Sequence, residues 1–480
     1  MAVTGVAQRG TGPWDARVQF RIDASGATFA YRPHQIVMRR AGLAALAEAL
    51  GRPVPEDAVE NVFAADDSLV LVRGVPNPLE LVRRLRVAGH DAQPNHVLFA
   101  TPVGFPNPVG FPNPVGFPNP VGFPNPVGFP NPVGFPNPVG FPNPVGFPNP
   151  AEPQMPVQPL SPGSGSANAP RRTTAAPSTP STPSGRTAGS ASARVLVVDT
   201  GVAPYCLPAG AGQQLSASAS QALKRLHAVQ PDSDAEEWDG DHDDVLDPFA
   251  GHGTFIAGII ADLAPGAEIT VEAGLSSYGD TDDVLIAQCL DSRFPAGSAP
   301  KYDIVSLSFA GYCQDDDPPL ALSTVIARIQ LDAHTAAGTT ATSALADERV
   351  VFVASAGNDG SSRCTWPAAF ESVIAVGALG PMGPAWFSNW GPWLSASAPG
   401  VDVVSTFFDL SGKDVMFGAS DFRGWATWSG SSFAAPTVAA AVAWEWMGRG
   451  ASGPVGGAAS WLLERDGVLR HPWFGTIFGA

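Results

Sequence analysis

The sequence predicts an α/β fold, a parallel sheet with helices on both faces, joined to a small α+β domain. Three features carry that expectation. Short β-branched apolar runs alternate with longer helical ones across residues 193–480, a smaller set of alternating runs fills 25–100, and a segment of different composition, 101–192, parts the two. Strands apolar throughout read as buried on both faces, as in parallel sheets. Alternation of strand and helix then lays helices on both sides of one sheet.

Residues 1–24 read as an N-terminal extension. In the domain that follows, Tyr31 to Arg40 suits a strand, Leu43 to Leu50 a short helix and Ser68 to Val72 a second strand. Pro78 to Val87 suits a helix, with Leu79, Leu81, Val82 and Leu85 on one side, and His96 to Ala100 a last strand.

The middle segment holds the compositional anomaly. Of 480 residues 52 are Gly and 49 are Pro, and 25 of those prolines lie between Thr101 and Ser190. From Val103 to Pro150 the hexapeptide Val-Gly-Phe-Pro-Asn-Pro repeats eight times without substitution. Each Pro removes a backbone donor and pushes its predecessor toward extended conformations, so no regular helix or central strand forms there. The segment reads as a disordered linker, a spacer grown by duplication; an elastic or aromatic-recognition array is the other reading.

In residues 193–480 the expected strands are Arg194 to Val198, Ile269 to Glu272, Ile304 to Ser308, Val350 to Ala354 and Val373 to Val376. Helices are expected over Gly253 to Leu263, Thr281 to Leu290 and Ala321 to Gly338.

Charge narrows the partners. Residues 191–480 carry 13 basic and 33 acidic side chains, net −20 in a chain of net −17. Phosphate binding needs clustered Lys and Arg, so neither nucleic acid nor an anionic membrane is expected as a partner. The longest apolar run, Thr437 to Trp444, is far shorter than the ~20 residues that span a bilayer. The first ten residues lack the apolar core of a signal peptide. That favours the cytoplasm; export by a non-classical route, or a start lying upstream, is the alternative. Four cysteines without C-x-x-C spacing make neither a disulfide scaffold nor a zinc site.

Three strings carry chemistry. Val198-Asp199-Thr200-Gly201 puts an Asp at the end of a buried strand, Gly251-His252-Gly253-Thr254 puts a His at the head of a helix, and Gly430-Ser431-Ser432-Phe433-Ala434 opens a small-residue helix with Ser. A helix start offers its dipole and free N–H groups to developing negative charge. Serine chemistry needs a hydroxyl, an imidazole to take its proton and a carboxylate to orient the imidazole, and the Asp, His, Ser order here is one of its known orders.

With these strings and Ala356-Gly357-Asn358-Asp359, residues 194–443 resemble the subtilases, the subtilisin-like serine peptidases. The resemblance implies a subtilisin-like sheet, with Asp199 as orienting carboxylate, His252 as general base then acid, Ser432 as nucleophile and Asn358 as oxyanion donor. Ser431 stands where the family usually has Thr, so Ser432 is preferred over it by alignment. Ser308, Phe309, Ala310, Ser355 and Ala356 are expected to line an apolar or permissive substrate pocket, with inward packing of Phe309 as the alternative. The small domain resembles the propeptides of this family, whose last strand lies in the cleft; an independent binding domain is the alternative.

The expected activity is that of a serine endopeptidase made as a zymogen, monomeric, acting on peptide or protein substrates, cationic ones favoured, with its own propeptide as a partner in cis. A peptidase dedicated to one partner protein and a non-catalytic binding module are the alternatives. No cofactor is required. Asp239, Asp241, Asp243 and Asp247 are spaced either as a calcium loop or as a solvated acidic loop, with Asp244 where a sharp turn would want Gly. In the resembled fold Cys313 and Cys364 lie on neighbouring loops, as a disulfide or as free thiols.

Overall fold

The computed structural model describes residues 17–22, 28–101, 158–159, 192–210, 212, 214–244, 246–340, 344–410 and 422–478. The repeats at 103–150 lie outside the described residues.

The N-terminal unit runs β1 (Gln19–Ile22), β2 (Thr28–Arg39), α1 (Leu43–Leu50), β3 (Val59–Asn61), β4 (Leu69–Arg73), α2 (Pro78–Val87) and β5 (Ala92–Ala100). Both helices fall where expected. The unit starts earlier than residue 25, because Gln19 to Ile22 pairs antiparallel with Thr28 to Tyr31. Its sheet has the order β5-β2-β4-β3, all antiparallel. Leu81, Val82 and Leu85 of α2 pack with Ile36, Met38, Val70 and Val72 in a core of their own.

A two-residue strand, β6 (Gln158–Pro159), follows. The larger unit then runs β7 (Arg194–Asp199), α3 (Ala219–Arg225), α4 (His252–Leu263), β8 (Glu268–Ala273), β9 (Asp280–Asp282), α5 (Asp283–Arg293), β10 (Ile304–Leu307), β11 (Phe309–Ala310) and α6 (Leu320–Ala336). It continues with β12 (Val351–Ser355), β13 (Val373–Gly380), β14 (Gly383–Pro384), β15 (Ala396–Pro399), β16 (Val403–Asp409), β17 (Arg423–Trp428), α7 (Ser431–Gly448), α8 (Gly456–Glu464), β18 (Arg470–His471) and β19 (Gly475–Ile477). The main sheet has the order β19-β15-β13-β12-β10-β7-β8, parallel throughout, with β18 and β14 added antiparallel.

Both faces of that sheet are apolar, which is why its strands read as continuous runs. Val195 and Val197 point into a core with α4, α7 and α8, whereas Leu196 and Val198 point the other way, into one with α5 and α6. In β12, Val351 and Val353 take the first side and Phe352 and Ala354 the second. The second core also takes in Val37, Leu71 and Leu98 of the N-terminal unit, so the two units share apolar contact.

The helix expected from Thr281 begins two residues later. Asp280 to Asp282 is an edge strand instead, and Asp282 caps α5 by accepting the Leu285 N–H at 3.0 Å. All four cysteines are free thiols, Cys313 and Cys364 included. Their loops do approach, through a bridge between Gly311 and Trp366. No helix among the described residues is long and apolar enough to cross a membrane.

Asp283, fully buried at the start of α5, accepts the Ala321 and Leu322 N–H groups at 2.9 and 2.8 Å and thereby caps α6 from a neighbouring helix. Asp283→Ala leaves two buried donors unpaired and should lower stability by about 2–5 kcal/mol, read from the urea midpoint at unchanged slope.

Candidate active site

Parallel strands end on one edge of their sheet, and that edge holds the site. Asp199 is the last residue of β7, Ser308 follows β10, and Ser355 closes β12 just before Ala356-Gly357-Asn358. Helices α4 and α7 begin beside this edge, at His252 and Ser431. The approach of α4 depends on absent side chains. A Cβ on Gly253 would lie 2.2 Å from the Gly201 carbonyl oxygen, and one on Gly251, at φ +83°, would enter the Phe407 ring.

Asp199, His252 and Ser432 come together, all fully buried. His252 Nδ1 lies 2.7 Å from Asp199 Oδ1, the same oxygen that accepts the Thr200 N–H at 2.8 Å. This fixes the imidazole with Nε2 turned away from the carboxylate. Among the described residues Nε2 has no hydrogen-bond partner. The His252 ring is met edge-on by Trp428 at 5.5 Å between centroids and flanked by Phe433 at 5.4 Å.

Geometry separates the two serines. Ser431 Oγ accepts the Gly357 N–H at 3.1 Å and so faces the loop, whereas Ser432 Oγ faces the cleft, 2.9 Å from Thr101 Oγ1. Ser308 grips Ser432 twice: Ser432 Oγ donates to the Ser308 carbonyl at 3.1 Å, and Ser308 Oγ donates to the Ser432 carbonyl at 2.9 Å. That carbonyl is free because the residue four positions on is Pro436, which has no N–H to close the helical bond.

Thr101, assigned to the linker by sequence, occupies the cleft. Its carbonyl oxygen accepts the Ser432 N–H at 3.2 Å and an Asn358 Nδ2 proton at 2.5 Å. Asn358 Oδ1 accepts the Ser431 N–H at 2.9 Å, so the same amide is pinned to the start of α7. Ahead of Thr101, β5 is paired on both sides. Val97, Leu98 and Phe99 sit against Asp282, Thr281 and Asp280 of β9, and Phe99 and Ala100 against Ala310 and Phe309 of β11.

Of the residues expected to line the pocket beside Thr101, only Ala310 does so. Ala310, Gly311, Tyr312, Gly357, Asn358, Asp359 and Thr365 line it. Thr101 Oγ1 lies 2.6 Å from Ser355 Oγ, and Tyr312 donates its hydroxyl to Asp359 at 2.8 Å. Burial pushes the Asp359 carboxyl up and the Tyr312 hydroxyl well up. Phe309 does not line the pocket. Strand alternation turns Ser308 and Ala310 toward the cleft and sends the fully buried Phe309 into the core under α5 and α6. Ala356 also lies behind the wall, its carbonyl taken by Thr365 Oγ1 and Asn389 Nδ2.

Of the four aspartates spaced as a calcium loop, Asp239, Asp241 and Asp247 bring carboxylate oxygens within 4.8 Å of one another; Asp243 is not in the group. Those carboxylates already accept protein donors: Asp239 from the Asp243 and Asp244 N–H groups, Asp247 from Gly240 and Ser277, Asp241 from Tyr278. Asp244 takes φ +66° in the sharp turn.

Residues 191–449 match the model of the subtilase family, and the chain belongs to that family. It is similar to the thermophilic serine proteinase of Bacillus sp. (strain AK1), 31% identical over 254 residues, 53% of this chain and 52% of that protein. Subtilisin Savinase of Lederbergia lenta is 30% identical over 203 residues, 40% of this chain and 62% of that protein. The chain thus spans less than two thirds of each. A solved structure described as a cold adapted subtilisin-like serine proteinase aligns with TM-score 0.40 and 20% identity, covering 59% of this chain and 87% of that one.

Asn358→Ala removes one of the two donors on the Thr101 carbonyl. With a peptide substrate, turnover should fall by about 10²–10³-fold at nearly unchanged KM. Ser431→Ala, whose hydroxyl faces Gly357, should spare turnover far more than Ser432→Ala.

Proposed function

We propose that the chain is a serine endopeptidase that hydrolyses peptide bonds through an acyl-enzyme on Ser432, held inhibited in cis by its own N-terminal unit. The observation that carries this reading is the carbonyl of Thr101, seated on the Ser432 N–H and Asn358 Nδ2 beside the Ser432 hydroxyl. A strand added between β9 and β11 presents a backbone to the site through main-chain bonds, the mode by which an extended peptide substrate would be held.

In that mechanism His252, its Nδ1 held by Asp199, takes the Ser432 proton on Nε2 as the hydroxyl attacks the carbonyl carbon. Negative charge then develops on an oxygen that two fixed donors and the start of α7 already surround. His252 returns the proton to the leaving nitrogen, and water repeats the sequence to release the acyl group. Ser432 Oγ is now engaged with Thr101 and Ser308, so productive attack requires it to turn toward Nε2.

The bond presented in register is Thr101–Pro102. On a prolyl nitrogen the ring carbon Cδ replaces the amide hydrogen, crowding the atom that His252 must protonate. Four of the six bonds in each following repeat also have Pro on one side. These features favour an inhibitor that stays joined to its enzyme over one shed at its own C-terminal end. A location in the cytoplasm and a monomeric state belong to the same reading without adding to it, and a peptidase dedicated to one partner protein is its alternative.

A fluorophosphonate probe tests the activity: labelling should be slow in the full chain, where Thr101 occupies the cleft, rise in Pro102→Ala as it is cut after Thr101, and vanish in Ser432→Ala. Pro102→Ala should speed cleavage after Thr101 by about 10²-fold, the scale of general-acid help to a leaving group, as read by intact mass. If neither the full chain nor Pro102→Ala is labelled, the endopeptidase reading fails.

Docking should also depend on pH. His96 of β5 is fully buried, and its Nε2 accepts the Gln314 N–H at 3.0 Å. Burial, helped by Arg86, pulls its pKa from the ordinary 6.5 down to about 3. The docked form therefore needs neutral imidazole. Its stabilisation is complete above about pH 6.5 and is lost as pH falls toward about 3, by at most about tenfold per unit. Protection factors of the β5 amides in Ser432→Ala, followed from pH 7.5 to 5, should fall with pH and should not do so in His96→Gln.

A further inference from the structure

The start of α4 carries an anomaly. Its N-cap is Gly251, which has no side chain to cap with, and its first turn, His252-Gly253-Thr254, holds no acidic residue. A helix start leaves backbone N–H groups without helical partners, and these need acceptors when buried. Both acceptors come from elsewhere. Thr200 Oγ1 takes the Gly253 N–H at 3.0 Å, and Glu236 Oε1 takes the Gly251 N–H at 2.9 Å. One lies on each side of His252.

We propose that Glu236 is a positioning residue for His252, setting the imidazole against Ser432 by holding the Gly251 N–H from outside the helix. The proposal rests on the reading of His252 as general base. Glu236 belongs to the loop after α3, not to α4, and is only 4% exposed. Its own N–H donates to the Val202 carbonyl at 2.9 Å, and Val202 donates back to Asp234 at 2.9 Å, so the acceptor is tied to the chain leaving β7. Asp199, which meets the other side of the imidazole, ends that strand.

A closed circuit results. From Asp199 it runs through Thr200 to Gly253, across His252 to Gly251, and through Glu236 and Val202 back to β7. Every link but the peptide bonds is a hydrogen bond of ordinary length. Thr200 and Glu236 together supply what a capping box supplies from within a helix. The capped residue here is the neighbour of the general base, so an error in the cap becomes an error in the ring. Burial pushes the Glu236 carboxyl well above its usual range, with Asp199 and Asp247 adding to the effect.

Glu236→Gln keeps an acceptor oxygen at the same reach, whereas Glu236→Asp keeps the acid and draws it back by one methylene. In the full chain, Glu236→Asp should lower the maximal rate of fluorophosphonate labelling by about 10²-fold, the scale of a misplacement near 1 Å, with the half-saturating probe concentration unchanged. Glu236→Gln should stay within about threefold of the parent, on the same scale. The low-field proton resonance of His252 Nδ1 bound to Asp199 should move in Glu236→Asp and hold its place in Glu236→Gln. An unmoved resonance in Glu236→Asp overturns the proposal, and so does a Glu236→Gln variant as defective as Glu236→Asp. A parent chain that resists the probe while its resonance responds as described refutes the endopeptidase reading and leaves the positioning role standing.

Discussion

A parallel sheet delivers the last residue of every strand to the same edge, and the site depends on that constraint. β7, β10 and β12 are adjacent and run in one direction. Asp199, Ser308 and Ser355 therefore reach one line although more than a hundred residues separate the first from the second. Nothing in the chemistry of serine attack asks for a sheet. What it asks for is a carboxylate, an imidazole and a hydroxyl that cannot drift, and the ladder hydrogen bonds fix the first while two helix starts fix the others. Helix α4 packs against Gly201, just after β7, and against Phe407 only because residues 253 and 251 are glycines.

The same edge accounts for the place of the N-terminal unit. β9 and β11 are short, and each leaves ladder groups toward the gap between them; β5 fills it and satisfies both. Register then follows from geometry. With Val97 opposite Asp282 and Phe99 opposite Ala310, the next residue but one, Thr101, has its carbonyl on Asn358 and Ser432. Gly311 keeps the neighbouring surface open, since a Cβ there would lie 2.6 Å from the Leu98 side chain.

Much of this was legible in the sequence, for identifiable reasons. The core strands of the large sheet are apolar on both faces, a signal that does not depend on tertiary detail, and both helices of the small unit have one apolar side. Asp199, His252, Asn358 and Ser432 each sit in a distinctive string. Three things were not legible. Asp280 to Asp282 carries no strand pattern, because its partner is a strand almost two hundred residues earlier. Phe309 has the composition of a pocket residue, and only the alternation of Ser308, Phe309 and Ala310 about β11 turns it inward. Glu236 has no local signature at all, since its role is defined by the Gly251 N–H fifteen residues on. Local patterns report what a residue does within its own element; they are silent where the partner comes from another.

The acidity of the larger unit acquires a partner in the same way. Among the described residues, ion pairs between the units run from an arginine of the N-terminal unit to an aspartate of the larger one: Arg17 and Arg32 to Asp280, Arg32 to Asp282, and Arg86 to Asp315 and Asp317. Exposed pairs of this kind contribute little, about 0–1 kcal/mol each. Arg32 differs, for its side chain is only 11% exposed and it meets a fully covered Asp280 at 2.8 Å and Asp282 at 2.7 Å. Removing either partner there would strand a charge away from water, so these contacts select the docked arrangement more than they add to its strength. Asp280 and Asp282 thus do two things at once, their backbones pairing with β5 and their carboxylates reading the charge of the unit that carries it. A peptide that offered only a strand would meet the first requirement and not the second.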